Sequence, residues 1–542
     1  MITYQKENIM GKFKLSEEQE TAVNCRSDFI NINAFAGTGK TTTLLNYALM
    51  YPKQSFLYIC YNKSIQQHAE KIFPSNVKVK TSHSLAYGYV GHHYKHKLKP
   101  FITSQNIMDA LDSRIKVKDT VTFTDLIIKT LEKFCFSEER VISENHLPMD
   151  VINTVLPLKQ IEAGKLSVIK YSNYIFGRMM DINHGMPITH DVYMKIFQLH
   201  MDSFHLNFDT IMLDEAQDAN PVLLDIIKNL NAKKIFVGDS YQSIYNYRGA
   251  ANALKNSEAT NLYLTNSFRF GSNVANFANI LLTLSGELQE VKGHGHTTIN
   301  STTNINRNEK RVVLFRNNAA VIDKMFNDND DRIRYYLEGG MESYGFFEID
   351  ELIKLRSGKR SNHHLFKHFE DLDQVKEQAE ILDNRPLVSK CNLIDKIKTS
   401  KEFNRIKNRI VVSNKEATIG LSNTHKVKGN EFEVVELYND FSGPMNPNFS
   451  LKNDLKDPEI IHHVTPEFQE ETNIAYVALT RVKSKLYIPN DWMKWMSDLT
   501  NFVNSGSRSS VQATAEAKKL VEKKLYFKKN NTNDLKTKTP KV

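Results

Sequence analysis

The chain has 542 residues, a net charge of +9 and four cysteines. That length exceeds one hydrophobic core and implies three or four compact units, while the mildly basic balance favours a polyanionic partner without identifying one. Cys25, Cys60, Cys135 and Cys391 lie far apart with no C-x-x-C pair, which argues against a zinc site, an iron–sulfur cluster or a disulfide framework. The leader MITYQKENIMGKFK has no apolar core for a signal peptide, and no apolar run is long enough to span a bilayer. A cytoplasmic location follows as the expectation, nucleoid-associated or, in a eukaryotic cell, nuclear.

In chain order, three short apolar runs read as strands followed by polar loops and helices: Phe29 to Asn33, Thr210 to Leu213 and Lys234 to Gly238. Such alternation implies a parallel sheet whose function sits at the strands' carboxyl ends. The stretch 90–190 is helical and charged in pattern and reads as an insertion. A second alternating region runs through Val312 to Phe315, Arg409 to Ser413, Val434 to Leu437 and Lys485 to Ile488. A charged, helix-like block, 348–408, interrupts it. Beyond Asp498 the chain turns polar and lysine-rich, which predicts a flexible tail.

After the first run comes Ala34-Phe35-Ala36-Gly37-Thr38-Gly39-Lys40-Thr41, opening a helix. Small residues there let backbone N–H groups wrap phosphates, with Lys40 reaching the outer phosphates and Thr41 offering a hydroxyl to Mg²⁺. The nucleotide-binding stretch is taken as Ala36, Gly37, Thr38, Gly39, Lys40, Thr41 and Thr42. The usual first glycine of such a loop is Ala34 here. The second run ends in Asp214-Glu215-Ala216-Gln217-Asp218. Asp214 can hold Mg²⁺, and Glu215 can orient and deprotonate a water. The third leads to Gly238-Asp239-Ser240-Tyr241-Gln242, where Gln242 is placed to sense the γ-phosphate.

These pieces in this order resemble the UvrD/Rep family of superfamily 1 DNA helicases, and the match covers residues 15–490. Leu15-Ser16-Glu17-Glu18-Gln19 looks like the family's adenine-reading segment, with Gln19 on the base edge. Tyr61-Asn62-Lys63-Ser64 and Thr81-Ser82-His83-Ser84-Leu85 resemble motifs Ia and Ib. Tyr245-Asn246-Tyr247-Arg248-Gly249-Ala250 is similar to the aromatic–Arg–Gly–Ala element. Ser267-Phe268-Arg269, Thr424 to Phe432, and Glu471 to Arg481 resemble motifs IV, V and VI. The wording is nearest the F-box DNA helicase branch, in TSHSLAY (Thr81 to Tyr87), MPITHDVYMKIFQL (Met186 to Leu199) and DEAQDANP (Asp214 to Pro221). The short leader before Gln19 leaves the expectation that an F-box is lacking.

The resemblance implies an α/β fold of two RecA-like P-loop NTPase domains, parallel sheets flanked by helices. The expected limits are 1–89 with 191–265 for domain 1A, 90–190 for insertion 1B, 266–347 with 409–498 for domain 2A, 348–408 for a reduced 2B-like insertion, and 499–542 for the basic tail. It implies ATP and Mg²⁺ as cofactors, held in part by Gln19, Thr41 and Asp214. It implies Lys40, Glu215, Gln242, Arg269 and Arg481 as catalytic residues, the last two as arginine fingers, and Glu431 as a contact to the nucleotide sugar. DNA would meet Tyr61, Asn62, Thr81, His83, Tyr247, Arg248, Thr424 and His425, with Tyr247 as the first stacking platform. Partners would be single-stranded DNA and single-strand/duplex junctions, with no membrane and a nuclease or repair factor left open. The implied direction is 3′ to 5′. A translocase that strips proteins from DNA and a nucleotide-bound scaffold remain the competing readings.

Overall fold

Strands of two to seven residues, many of them short apolar runs, assemble into parallel sheets. The computed structural model describes residues 14–502 except 112–119, 156, 246–248, 250, 256–257, 307, 329, 364, 382–383, 398 and 442–465. The chain divides into two units, residues up to 35 with 39–264, and 36–38 with 265 onward.

In the first unit β1 (Phe29–Ala34), β2 (Phe56–Cys60), β3 (Val77–Thr81), β4 (Thr210–Leu213), β5 (Lys233–Gly238) and β6 (Thr260–Leu264) line up in the order β3-β2-β4-β5-β1-β6, every neighbouring pair parallel. Side chains alternate between two cores with the strand period of two. Leu57, Ile59, Ile211 and Leu213 enter one core, and Tyr58, Met212, Ile235 and Val237 enter the other, beneath the helices Glu17–Asn24 and Lys40–Met50.

The segment 90–190 contributes helices Ser104–Ala110, Thr120–Phe136, Met149–Val155 and Ile161–Met180. Ile127, Leu131, Phe134 and Ile175 from these helices share the core of Leu57 and Ile59, with a small satellite of Leu126, Leu147, Ile152 and Val168 beside it. Two buried lysines close this region. The Lys195 ammonium donates to the carbonyls of Ser137 (3.0 Å) and Glu139. Lys97 donates to those of Asp181 (2.5 Å) and His184 (3.2 Å), just past the long helix. Carbonyls left unpaired near a helix end need donors, and a lysine supplies three.

In the second unit β7 (Asn266–Ser267) pairs with β8 (Lys292–Gly293). The main sheet holds β9 (Thr298–Ser301), β10 (Arg311–Phe315), β11 (Tyr335–Leu337), β12 (Ile410–Val411), β13 (Ile419–Asn423), β14 (Phe432–Leu437) and β15 (Val482–Ile488). Their order is β12-β11-β13-β10-β14-β15-β9, again all parallel. The run expected as a strand over Arg409–Ser413 shortens to two residues. It is an edge strand paired only with β11, its Val412 is 97% exposed, and its Arg409 turns inward to the carbonyls of Met325, Asp328 and Asp330.

The block expected as a separate insertion supplies helices Phe346–Arg356, Leu372–Ile381, Arg385–Lys396 and Ser400–Lys407. Phe346, Ile349, Leu352, Val375, Ile394 and Phe403 join Val313, Phe315 and Leu421 in one core. A block of about sixty residues is marginal as a core of its own, and these helices share the core of the sheet. The last described helix, Asn490–Phe502, runs past the expected limit at 498, and Trp492 packs edge-on against Phe441. The rest of the tail lies outside the described residues. Among those described, no helix is long and apolar enough to cross a membrane.

The central strands β10 and β14 are tied by a buried ion pair, Arg311 Nε to Glu436 Oε2 at 2.6 Å. Removing one partner strands the other charge, so Glu436→Leu should destabilise the second unit by about 3 kcal/mol, while Arg311→Leu/Glu436→Leu should cost markedly less. Hydrogen exchange of the β10 and β14 amides reads both values. Equal losses would show that the pair's charge has no part in holding the strands.

Candidate functional site

Because β5 pairs with both β1 and β4, three strands deliver their carboxyl ends side by side. From β1 the chain passes through Phe35–Gly39 into the helix Lys40–Met50. Gly37 and Gly39 hold φ of +77° and +85°, backbone that side chains rarely adopt. The helix opens with no side-chain cap, whereas Ser16, Asn62, Thr81 and Asn220 cap theirs. Its first-turn amides therefore suit oxyanions such as phosphates, with the Lys40 ammonium beside them and the Thr41 and Thr42 hydroxyls on the same turn. Gln19 is buried against this loop, and a Cβ on Gly39 would lie 2.6 Å from its Nε2. Its carboxamide oxygen accepts the Ser16 N–H at 3.0 Å, so Gln19 also caps its own helix.

From β4 comes Asp214, buried, with Oδ2 accepting from the Tyr58 hydroxyl at 2.5 Å and Oδ1 from the Glu215 N–H at 2.9 Å. Burial, reinforced by the neighbouring Glu215 carboxylate, pushes its pKa up to about 6. A divalent cation would offset both effects. A site of one or two carboxylates, a threonine hydroxyl and substrate phosphates fits Mg²⁺, which needs no closed protein cage. No cluster of three or more His, Cys, Asp or Glu suited to a metal exists among the described residues.

Glu215 has φ +52°, the one non-glycine with positive φ among the described residues. Strain of that kind costs about 1–3 kcal/mol and persists where neighbours over-determine it. Here Lys40 Nζ lies 3.8 Å from Oε1, and the Gln217 amide donates to Oε2 at 2.6 Å. The Gln217 carbonyl accepts the Asp239 N–H at 3.1 Å, and Asp239 Oδ2 accepts from the Gln242 amide at 2.8 Å. Lys40, Glu215, Gln217, Asp239 and Gln242 thus form one chain of contacts across the ends of β4 and β5. Gln217 and Asp239 had no role assigned from sequence. Each sits in a run that was singled out, but nothing in the order of residues says that one side chain bonds the other's backbone.

Next to Asp214 and Glu215 opens a groove of about 660 Å³ that also reaches Tyr61, His83, Asp191 and Tyr245. Tyr61, 39% exposed, stacks on Tyr245 with centroids 5.5 Å apart and planes 18° apart. His83 sets Nε2 3.3 Å from Asp191 Oδ1. Asn62 and Thr81 spend their side-chain oxygens on helix caps, accepting from Ile65 N and Ser84 N. Tyr247 and Arg248 lie outside the described residues.

In the second unit Arg269 donates through Nε to Glu431 at 2.9 Å and through Nη1 to the Thr480 carbonyl at 3.0 Å. Burial works against the Glu431 charge, yet hydrogen bonds from Lys483 and Arg269 hold its carboxyl below the ordinary range. Arg481 donates to the Val477 carbonyl and the Thr480 hydroxyl. Arg269, Arg481 and Glu431 therefore gather around one turn. Thr424 is buried, its hydroxyl donating to the Phe315 carbonyl at 3.0 Å, so it presents no hydroxyl to a strand of DNA, while His425 beside it is half-buried.

A Cβ on Gly238 would stand 2.1 Å from the Gln217 carboxamide oxygen. Gly238→Ala should displace that amide and, through it, Glu215, lowering any phosphate-releasing reaction that depends on the Glu215 carboxylate by about 10²-fold. The melting temperature should move little. Steady-state phosphate release checks this, and parental turnover would show that the Gln217 link does not set the position of Glu215.

Residues 15–261 match the family described as UvrD/REP helicase N-terminal domain, and residues 195–490 match the UvrD-like helicase C-terminal domain. The chain is 30% identical to F-box DNA helicase 1 of Gallus gallus over 88% of its own length and 49% of that protein. It is also 30% identical to F-box DNA helicase protein 1 of Schizosaccharomyces pombe, over 90% and 58%. A probable DNA helicase II homolog of Mycoplasma genitalium is 26% identical over 56% of this chain and 47% of that one. The chain spans about half the length of the curated relatives it matches.

Proposed function

Since this chain belongs to the UvrD/REP helicase family, we propose that it is an ATP-driven motor that moves 3′ to 5′ along single-stranded DNA and unwinds duplex. The observation that carries the reading is the contact chain from Lys40 through Glu215 to Gln242, lying beside a groove with a half-exposed tyrosine stack. A polyphosphate cradle and a platform for bases thus share one strand-end region.

In this reading residues 1–89 with 191–265 are domain 1A and 266–347 with 409–498 domain 2A. The uncapped helix amides and Lys40 bind the ATP phosphates, and Gln19 borders the loop on the adenine side. Thr41 and Asp214 hold Mg²⁺, which supplies charge neutralisation at the phosphates when bound. Glu215, kept strained and aimed by Gln217, orients the attacking water and takes its proton. Gln242 reports the γ-phosphate through Asp239 to the same amide. Arg269 and Arg481 supply the positive charge that stabilises the transition state.

Tyr61 with Tyr245 offers a face on which any base can stack, so stepping needs no sequence readout. The relatives from Gallus gallus and Schizosaccharomyces pombe are both named DNA helicases, which supports DNA as the track.

ATP hydrolysis should be stimulated by single-stranded DNA, and Glu215→Gln should lower it by about 10²–10⁴-fold while leaving DNA binding intact. Tyr61→Ala should weaken binding of a single-stranded oligonucleotide by about 1–3 kcal/mol. Strand displacement should occur on duplexes with a 3′ tail and not on those with a 5′ tail. Hydrolysis unaffected by DNA would overturn the motor, and unwinding from a 5′ tail would overturn the direction.

A further inference from the structure

Beyond the groove, the sequence Gly91-His92-His93-Tyr94-Lys95-His96-Lys97 folds as a seven-residue 3₁₀-helix, long for a form that usually stops after three or four residues. With three residues per turn, Gly91, Tyr94 and Lys97 fall on one face, and all three are buried. Each is pinned. Tyr94 donates its hydroxyl to the Met180 carbonyl at 2.7 Å, and Lys97 donates to the Asp181 and His184 carbonyls. Gly91 has no room for a side chain, since a Cβ would stand 2.7 Å from the Tyr87 ring and 3.1 Å from that of Tyr193.

The other two faces are forced outward. They carry His92, His93, Lys95 and His96, and the strand-like exit adds Lys99 and Phe101, the latter 57% exposed. That exit is itself fixed, Lys99 N–H to the Ile188 carbonyl at 2.9 Å and Ile188 N–H to the Lys97 carbonyl at 3.0 Å. His92 and His96 each spend one ring nitrogen on a backbone carbonyl, of Tyr87 and Ile182, which holds the ring and turns the second nitrogen outward. Lys95 and Lys99 have no ion-pair partner among the described residues. The nearby Asp181 carboxylate accepts the Asn183 N–H at 2.9 Å through one of its oxygens.

The buried face of this ridge is tied to the groove wall through one ring. Tyr193, against which Gly91 packs, donates its hydroxyl to the His83 carbonyl at 3.4 Å and sets its ring edge-on to that of His83, a groove residue. Cations and rings held outward on a fixed support, next to a path for bases, suit a phosphodiester backbone.

We propose that the ridge His92–Phe101 is a second contact for single-stranded DNA, in which Lys95 and Lys99 meet backbone phosphates of the strand leaving the groove near His83. The inference rests on the single-strand motor reading above. It adds a track that lengthens the bound footprint without touching the hydrolysis residues.

The test is equilibrium binding of a fluorescent oligo-dT to the whole chain across a salt series, for the parent, Lys95→Ala/Lys99→Ala and Lys95→Arg/Lys99→Arg. Two lost phosphate contacts on a single strand should reduce the slope of log K against log salt by about 1.4. Affinity near 0.1 M salt should fall by about tenfold, and the arginine pair should restore both. Hydrolysis at saturating oligo-dT should keep its maximal rate, with only the half-saturating DNA concentration raised. An unchanged slope in a protein whose hydrolysis is still DNA-stimulated would overturn the ridge and leave the motor standing. A slope change on blunt duplex alone would overturn the single-strand assignment. Absence of DNA stimulation in the parent would remove the motor reading itself.

Discussion

Parallel pairing of β1, β5 and β4 is the constraint on which the rest of the first unit depends. Parallel strands place all their carboxyl ends on one edge, so three loops separated by as much as two hundred residues of sequence must emerge together. One brings an uncapped helix N-terminus, one a buried carboxylate with a strained neighbour, and one a short turn ending in Gln242. No side chain creates that convergence. The hydrophobic alternation that buries Leu57, Ile59, Ile211 and Leu213 in one core and Tyr58 and Met212 in the other keeps it in register.

Within that frame the amide of Gln217 links the ends of two strands. Its N–H₂ end restrains Glu215 and its carbonyl end restrains Asp239, so a displacement at either strand end is felt at the other. Gly238 leaves the room this requires, because any Cβ there would occupy the space of the amide oxygen. The buried Asp214 carboxylate is costly without a cation, since burial and the neighbouring Glu215 both oppose its charge, and Tyr58 and Lys40 compensate only in part.

Both units absorb what looks in sequence like inserted material. Buried cations do much of this joining, Lys195 and Lys97 in the first unit and Arg409 in the second, each donating to backbone carbonyls at the ends of elements. The helices of 346–407 extend the core of the second sheet, with Phe346 and Phe403 stacked on each other inside it.

The strand, loop and helix that carry the proposed phosphate site were legible in the residues alone, because their pattern is local: an apolar run, small residues, a lysine and a hydroxyl are contiguous, and an acidic pair directly follows its strand. Strand content was less legible. Val312 to Phe315 stands out as an apolar run, but Tyr335–Leu337 and Ile419–Asn423 carry too few contiguous apolar residues to stand out, and Arg409–Ser413 looks like a longer strand than its edge position allows. Asn62, Thr81 and Thr424 show the limit most plainly. Sequence marks them as polar residues in motif positions, whereas burial and the helix ends beside them decide where their oxygens go. What the chain order determined was the kind of chemistry and its local parts. Which partners those parts face, from the Gln217 amide to the outward lysines of the 3₁₀ ridge, was decided only by tertiary packing, since hydrogen-bond geometry between distant segments is set by the core beneath them.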